Sequence, residues 1–596
     1  MSKEQLAVQD KNIKGNGSDP DKKTPAFYSA VFNDRQPTGR NVKRSRSETP
    51  WRPIRFLSSI VQSASYASAR TYGWFSMTFG LVSLFLHLAE YYFSSSPSDE
   101  LSQLIIGAVL ALLSIPLVIV DIPICEALQR FAVTDYILFE FFAIRRMSED
   151  KNRKKFRSVI GILFGLVAAV FGFFLPMEVV VLAIGALLFV TVSFVSPEFP
   201  FLVMLMMVPY ATAFEYSVEI MTMISVLSLV SFFAKVMLGK RYYSFSISDF
   251  CIIVFLAVVI IFGVIGGGEA STRVSLVLVA LSLNYIPSTN IIVNRRLADC
   301  AIDAIVFSSV PVAVIAVVEY TVNLFTVGRR PASSVMSSPY ILATYLCVIL
   351  TLAAFSVIAA HGSAKRGIYI AFIPVIAIAL ISTECIPVLI ILPLLVVARS
   401  IMQGRKVKKG LMLLLALVPV LVFLLPTSVL SAISSLSPTS TTLVELRAGL
   451  VRGFETFSQS IFVGVGAADL AEVSAPSEFV NTILGIACRF GIIAVMVLIA
   501  VCVIRLRQGT TYSVFLKSSQ LSVFSTMTTV AMFAMMTCGW FTDVFADLGL
   551  YCLFFSLFGL NTAALRISKN EYEERAWYFK DQKDVDSSTA DIFLHR

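Results

Sequence analysis

Four arginines and a handful of acids are the residues of this chain whose types and spacing could do chemistry. Arg329-Arg330 stand in the short polar stretch 326–339, and Arg447 and Arg452 stand in a longer one, 431–478, each bounded by strongly apolar runs. A planar guanidinium holds phosphate oxygens through paired, charge-assisted hydrogen bonds, so arginines in such stretches suit a phosphate-bearing ligand. Arg447 and Arg452 are separated by about 140° around a helix, so both reach one cavity only if that helix runs across its mouth. The acids of the long stretch are Glu445, Glu455, Asp469, Glu472 and Glu478. A positioned base contributes roughly 10²–10⁴-fold to a proton-transfer step. Glu478 is the first candidate for that work and Asp469, after the Gly464-Val465-Gly466 turn, the second; a solvated loop residue is the plainer reading of each.

Other chemistries are poorly served. The chain has no Walker-type loop, H-E-x-x-H, G-x-S-x-G or acidic metal cluster, so neither a metal nor a cofactor is expected. His87, His361 and His595 fall in the first apolar run, a basic loop and the C-terminal tail. The nine cysteines are scattered through apolar runs without C-x-x-C spacing and read as small buried residues.

The elements that must hold these residues are membrane helices. Of 596 residues 57% are hydrophobic and 15% charged, a balance that burial in lipid explains and a soluble core does not. The net charge of +9 sits in the N-terminal tail and in short loops, where topology accounts for it without nucleic acid. At about twenty apolar residues per crossing, the expected fold is an all-α polytopic membrane protein of about sixteen spans (range 12–16), with short helices in one long external loop. The spans fall near 73–93, 102–122, 158–174, 177–195, 199–215, 218–238, 247–266, 272–292, 301–325, 339–360, 367–383, 385–400, 410–430, 479–504, 519–541 and 547–566. The splits at Leu175-Pro176 and Glu384-Cys385 could each instead be one broken span. Alternate loops carry Arg145-Arg146, Lys240-Arg241, Arg295-Arg296, Lys365-Arg366, the run from Arg405 to Lys409, and Arg505 with Arg507. That asymmetry puts both termini in the cytosol and 431–478 outside.

The resulting organisation is a basic cytosolic tail (1–72), a transmembrane hairpin with a basic linker (73–157), the main membrane domain (158–566) and a cytosolic C-terminal tail (567–596). The polar N-terminus argues against a removable signal peptide. Glu178, Glu215, Glu219, Glu319, Glu384 and Arg489 fall inside or at the ends of spans, where an ionised group is costly and faces protein, water or the interface. Glu319 and Arg489 are the stronger functional candidates among them.

Several local patterns, in shared order, resemble the bacterial O-antigen ligase and O-antigen polymerase superfamily over about 350 residues, from 158 to 508. They are Ser246-Ile247-Ser248-Asp249; Asn284-Tyr285 leading through Asn294 to Arg295-Arg296-Leu297; Arg329-Arg330 with Ser337 to Leu346; and Arg447, Gly464-Val465-Gly466 and Asn481 ahead of Gly491-Ile492-Ile493. The resemblance implies a cell-membrane protein of a bacterium that transfers or polymerises glycans from undecaprenyl-pyrophosphate carriers at the external face. Its expected partners are that lipid-linked glycan, the bilayer and other polysaccharide-assembly membrane proteins, with Arg447, Arg452, Arg329 and Arg330 on the carrier pyrophosphate. Asn481, Gly464, Gly466, Glu384, Arg489 and Glu319 would shape or orient the site.

Departures qualify that expectation. Val480 stands where the family has the histidine proposed as base, Glu384 where it has the arginine of Ser-Arg-Gly, and Arg489 where it often has an acid. Glu384 and Arg489 would then have exchanged places and should pair. A non-catalytic member that binds lipid-linked glycan or a partner enzyme, and a lipid or polysaccharide transporter, are the alternative functions.

Overall fold

The structure, a computed structural model, describes residues 68–93, 100–119, 134–142, 158–173, 177–385, 443–467, 481–515 and 519–567, apart from a few positions within 239–246 and at 294, 327, 329 and 360–362. The expected spans near 385–400 and 410–430 lie almost wholly outside these residues, as do the N-terminal tail, the C-terminal tail and positions 431–442 and 468–480. All regular structure among the described residues is helical. By length and composition nine of these helices can cross a membrane, and five shorter apolar helices accompany them. The count of about sixteen spans is thus reached only in part.

Three helices form an N-terminal group: α1 (Ala69–Phe93) packs against α2 (Glu100–Ile119) and α3 (Ser158–Phe173). Small residues bring these helices together. Gly80 lies against Gly107 and Ala111, and Gly161 against the Thr71 carbonyl, close approaches of the kind that let membrane helices gain packing where lipid supplies no hydrophobic drive. α4 (Met177–Val195) leads from this group to α5 (Glu198–Met207), which packs on α6 (Ser217–Met237). The expected span 199–215 is shorter than its apolar run, because α5 gives way to a 3-10 turn at Val208–Tyr210 containing Pro209, which offers no N–H to an α-helix.

α7 (Ile247–Ser282) reads as one helix but is a hairpin. Its backbone leaves helical geometry at Gly268 (φ 71, ψ −156), after Gly266 and Gly267. The two arms return side by side: Gly263 lies against Ser275, and the Tyr285 hydroxyl, just beyond the second arm, donates to Asp249 Oδ1 of the first at 2.5 Å. Spans expected at 247–266 and 272–292 therefore exist as two arms joined by a glycine turn, whose φ and ψ are open only to a residue without Cβ.

The chain continues through the short α8 (Tyr285–Ile291), the long α9 (Arg295–Thr326), α10 (Pro339–Ala359) and α11 (Ser363–Ser382). α11 stops where the sequence places the break between two spans: Thr383-Glu384 form a turn, with Glu384 at φ 54. Then come the amphipathic α12 (Leu443–Gln459), the interrupted α13 (Thr482–Phe515), α14 (Ser519–Cys538) and α15 (Leu548–Ile567). α15 is the most enclosed, buried almost throughout. Its polar residues serve its neighbours: Asn561 donates to Thr528 and Thr529 at 2.9 and 2.7 Å, while Arg566 donates to Asn290 Oδ1 at 3.1 Å and to the Thr289 and Ile292 carbonyls at the end of α8.

Ionisable groups gather at the two ends. The end expected to face the cytosol holds the buried Arg241–Glu198 pair, Asp249 with Tyr285, Arg566, and Asp303 with Lys365 (2.8 Å) and Tyr369. The opposite end holds the candidate site. The hairpin turn gives a clean test of backbone strain. At Gly268 an added Cβ would meet no atom, so Gly268→Ala should cost only its disallowed backbone, about 1–3 kcal/mol. Gly185, helical and equally open, should tolerate alanine or gain from it by about 0.5–1 kcal/mol. Thermal unfolding of both variants in detergent should lower the midpoint for Gly268→Ala alone.

Candidate functional site

The end of the bundle opposite the Arg566 cluster is built around an interruption in α13. Asn481 caps its start, its Oδ1 accepting the Ile483 and Leu484 amides at 2.8 and 3.3 Å, the bonds that an N-cap side chain supplies to otherwise unpaired helix N–H groups. Helical geometry fails at Gly491 (φ 74, ψ 176). Such a break leaves carbonyls before it and amides after it without helical partners. The segment 460–466 takes them up: Val465 N–H donates to the Cys488 carbonyl at 2.7 Å, Gly466 N–H to the Arg489 carbonyl at 3.2 Å, and Ile492 N–H to the Ile461 carbonyl at 2.9 Å.

Glycine at both contacts has a steric cause. A Cβ on Gly491 would lie 1.9 Å from the Phe462 oxygen, and one on Gly464 would lie 2.5 Å from the Arg489 carbonyl carbon. The same segment reaches the turn of α7. Ala467 N–H donates to Ser271 Oγ at 2.8 Å, and Gly266 sits against Gly464 and Gly466. Segment 460–467 is therefore a strap lying between two interrupted helices. Ahead of it, α12 rests on α13, with the Cys488 thiol 3.3 Å from the Gly453 carbonyl. Val451, Phe454, Ile461 and Phe462 remain exposed beside Arg452 and Glu455.

Beneath the strap Arg489 forms a buried ion pair with Asp543, 2.6 Å from Nη2 to Oδ2. This corrects the expected partnership with Glu384. Arg489 meets a carboxylate from the loop between α14 and α15, whereas Glu384 Oε1 accepts the Tyr320 hydroxyl at 3.0 Å. The physical reason is proximity. Gly485, one turn before Arg489, lets the loop approach so closely that its Cβ would touch Asp543 Oδ2. Thr482 closes the junction by taking the Val544 amide at 2.9 Å and donating to the Thr542 carbonyl at 3.1 Å, while its own amide donates to the Gly539 carbonyl. Burial pushes the Asp543 carboxyl above the usual carboxylate range against the opposing pull of Arg489. Asp547, which caps α15 through the Leu550 amide at 2.9 Å, is raised by burial to about 6.

Around this junction the separated sequence patterns come together. Cys538, next to Gly539, lies against Cys347 and Thr344, with Cys385 nearby, so the entrance of α10 and the end of α11 share one region with Thr482. Glu319 secures the loop that carries Arg330: it accepts the Ser334 amide at 2.6 Å and the Ser333 hydroxyl at 3.4 Å. Ala332 N–H donates to the Ser382 carbonyl, joining that loop to the end of α11. Arg330 and Arg452 are exposed. Arg447 lies on α12, while Arg329, Asp469, Glu478 and Val480 lie outside the described residues. Among the described residues no group of His, Cys, Asp and Glu could hold a metal ion.

Sequence reasoning did not single out Asp543, Asp547 or Gly539 in the stretch 539–547. Its signal was an aspartate pair within Phe541-Thr542-Asp543-Val544-Phe545-Ala546-Asp547, a stretch otherwise too apolar for solvent. No protein-family model matches the sequence, and no curated protein matches it.

Two measurements check this electrostatic arrangement. Breaking a buried pair by removing one partner typically costs about 3–5 kcal/mol, so Arg489→Gln and Asp543→Asn should each reduce the folded amount, and the double variant should recover much of the loss; fluorescence-detected size exclusion with thermal challenge reads all three. Asp547 is the pH probe. Because its folded pKa (about 6) exceeds its unfolded value (3.8), the folded state binds the proton more tightly, and stability falls as pH rises from about 4 to about 6. Asn also caps a helix. Asp547→Asn should therefore be the more stable protein at pH 7, by up to about 3 kcal/mol, with the advantage gone below about pH 4.

Proposed function

We propose that the chain takes part in bacterial cell-surface polysaccharide assembly, transferring or polymerising glycans from undecaprenyl-pyrophosphate carriers at the external membrane face. The observation that carries this reading is convergence. The patterns at 337–346, 464–466 and 481–493 are far apart in sequence and resemble one glycan-transferring superfamily, and the bonds at 465–488 and 482–539, with Cys538 lying against Thr344 and Cys347, draw them to one end of the bundle. Arginine serves a pyrophosphate twice over, binding its oxygens in the ground state and holding the charge that grows on it as the glycosidic bond breaks. Arg330 and Arg452 are exposed for that work, and Arg329 and Arg447 share their segments. Asp469 and Glu478 are the candidate bases on the polar stretch following the strap.

The interruptions at Gly268 and Gly491 favour a second reading, transport of a lipid or polysaccharide, because transporters build substrate sites from broken helices. Against it, the strap's own backbone occupies the peptide groups freed at Gly491. Deletion of the gene in its host, followed by analysis of surface glycan length and attachment, tests the proposal. Shortened or unattached glycans with carrier-linked precursor accumulating at the external face are expected; accumulation on the cytosolic face selects transport, and unchanged glycans with the gene expressed overturn both readings. Arg447→Lys should abolish most transfer, since an ammonium loses the two-pronged phosphate contact.

A further inference from the structure

We propose that α12 and the strap after it form a membrane-surface element, their exposed apolar side chains seated in the headgroup boundary of the leaflet at this end of the bundle. The proposal goes beyond the polysaccharide reading and does not rest on it. It begins with how α12 sorts its residues. At about 100° per residue, the part of the helix from Ala448 onward divides into three sectors. Gly449 and Gly453, about 40° apart, are buried, and the Gly453 carbonyl accepts the Cys488 thiol of α13. Val451 and Phe454, about 60° apart, make a second, apolar sector and are exposed, as are Ile461 and Phe462 of the strap. Arg452, Glu455 and Gln459 fill a third, polar sector, also exposed and about 60° wide. A helix between protein and water needs two sectors, one for each. A third that is apolar and unpacked suits a helix lying in a membrane interface. Phe454 is 55% exposed and Phe462 68%, so neither ring is covered by the bundle.

The surface on which these rings lie identifies what covers them. The strap meets α13 and α7 where both present apolar residues outward. Ile492 N–H donates to the Ile461 carbonyl, and Ile493 and Met496 beyond it are exposed; Gly266 lies against Gly464 and Gly466, and Ile265 before it is exposed. Both helices have arms long and apolar enough to cross a membrane, and the exposed apolar side chains of such arms face lipid. The strap's apolar residues continue that surface.

Charge sets the depth. Ala467 is bonded to Ser271, and two residues on, Arg273 pairs with Glu219 at 3.8 Å, their side chains 80% and 47% exposed. Exposed charges of both signs belong at headgroup level, because hydrocarbon penalises each of them. The strap therefore runs along the bundle near that level, with Ile493 and Met496 on the hydrocarbon side of the break at Gly491. An interfacial helix sinks its apolar face about 5–10 Å into the boundary between headgroups and acyl chains. Seated so, α12 turns Phe454 toward the chains and holds Arg452 and Glu455 among headgroups and water.

Tryptophan, placed at one position at a time, reads the surroundings. The full chain is reconstituted in vesicles of phosphatidylethanolamine and phosphatidylglycerol, and the signal of its four native tryptophans is subtracted. The fluorescence added by Phe454→Trp or Phe462→Trp should be blue-shifted relative to Gln459→Trp. It should be quenched by lipids brominated on the acyl chain near the glycerol, and less by lipids brominated near the chain end. Gln459→Trp should instead be quenched by aqueous iodide. The replaced rings are exposed, so the folded amount should match the native chain, and each position is read by itself. Iodide quenching of Phe454→Trp and Phe462→Trp without bromolipid quenching shows a face turned to water. Blue-shifted emission that neither quencher reaches shows a face covered by protein, either a partner or another part of this chain. Strongest quenching by bromine at the chain end puts the element in the hydrocarbon core. Each of these three results overturns the proposal.

Discussion

A helix that stops within apolar surroundings leaves peptide groups that neither lipid nor side chains readily satisfy, and this end of the molecule is arranged around that requirement. The break at Gly491 exposes the Cys488 and Arg489 carbonyls and the Ile492 amide; the strap 460–466 is the length and shape of chain that pairs them. Its path then demands glycine at 464 and 491, where backbones touch, and places Ala467 on Ser271 beside the turn of α7. The polar segment between apolar runs is thus held by main-chain bonds to the membrane helices, and α12 is carried into position with it.

The Arg489–Asp543 pair belongs to the same arrangement. Its guanidinium and carboxylate are both withdrawn from solvent, so each makes the other's burial tolerable, and Gly485 and Thr482 complete the contact. A buried pair of this kind contributes little net stability against an apolar replacement, whereas its geometric effect is large, because only one placement of α13 satisfies it. The placement brings Asn481 and the helix start it caps against the 539–547 loop. Arg489 is for that reason a structural cation, and the arginines left for an anionic ligand are those on the exposed segments, Arg330 and Arg452 among the described residues.

Charge is sorted between the two ends in different ways. Where the Lys/Arg asymmetry predicts cytosol, the ionisable groups tie helices to one another, as Arg566 does for the end of α8 and Lys365 for α9. At the other end acids hold loops: Glu319 secures 333–334, and Glu384 is itself held in a conformation that its side chain disfavours. The first arrangement fits anchoring, the second fits a surface whose loops must keep a particular shape.

The sequence by itself determined the class and most of the helix positions, since the length of an apolar run measures a membrane crossing and glycine or proline marks where helices end. α4 occupies 177–195 as its apolar run predicts, and α10 and α11 end within a few residues of expectation. It also made Gly464, Gly466, Asn481 and Gly491 conspicuous as a series. Partnerships were decided only by the tertiary structure. Arg489 and Asp543 are fifty-four residues apart, and no periodicity says which of several acids an arginine meets; that depends on Gly485 admitting one loop and on α13 breaking where it does. The positive φ of Glu384 and its bond from the Tyr320 hydroxyl were equally hidden, because both belong to a junction that exists only once the helices have packed.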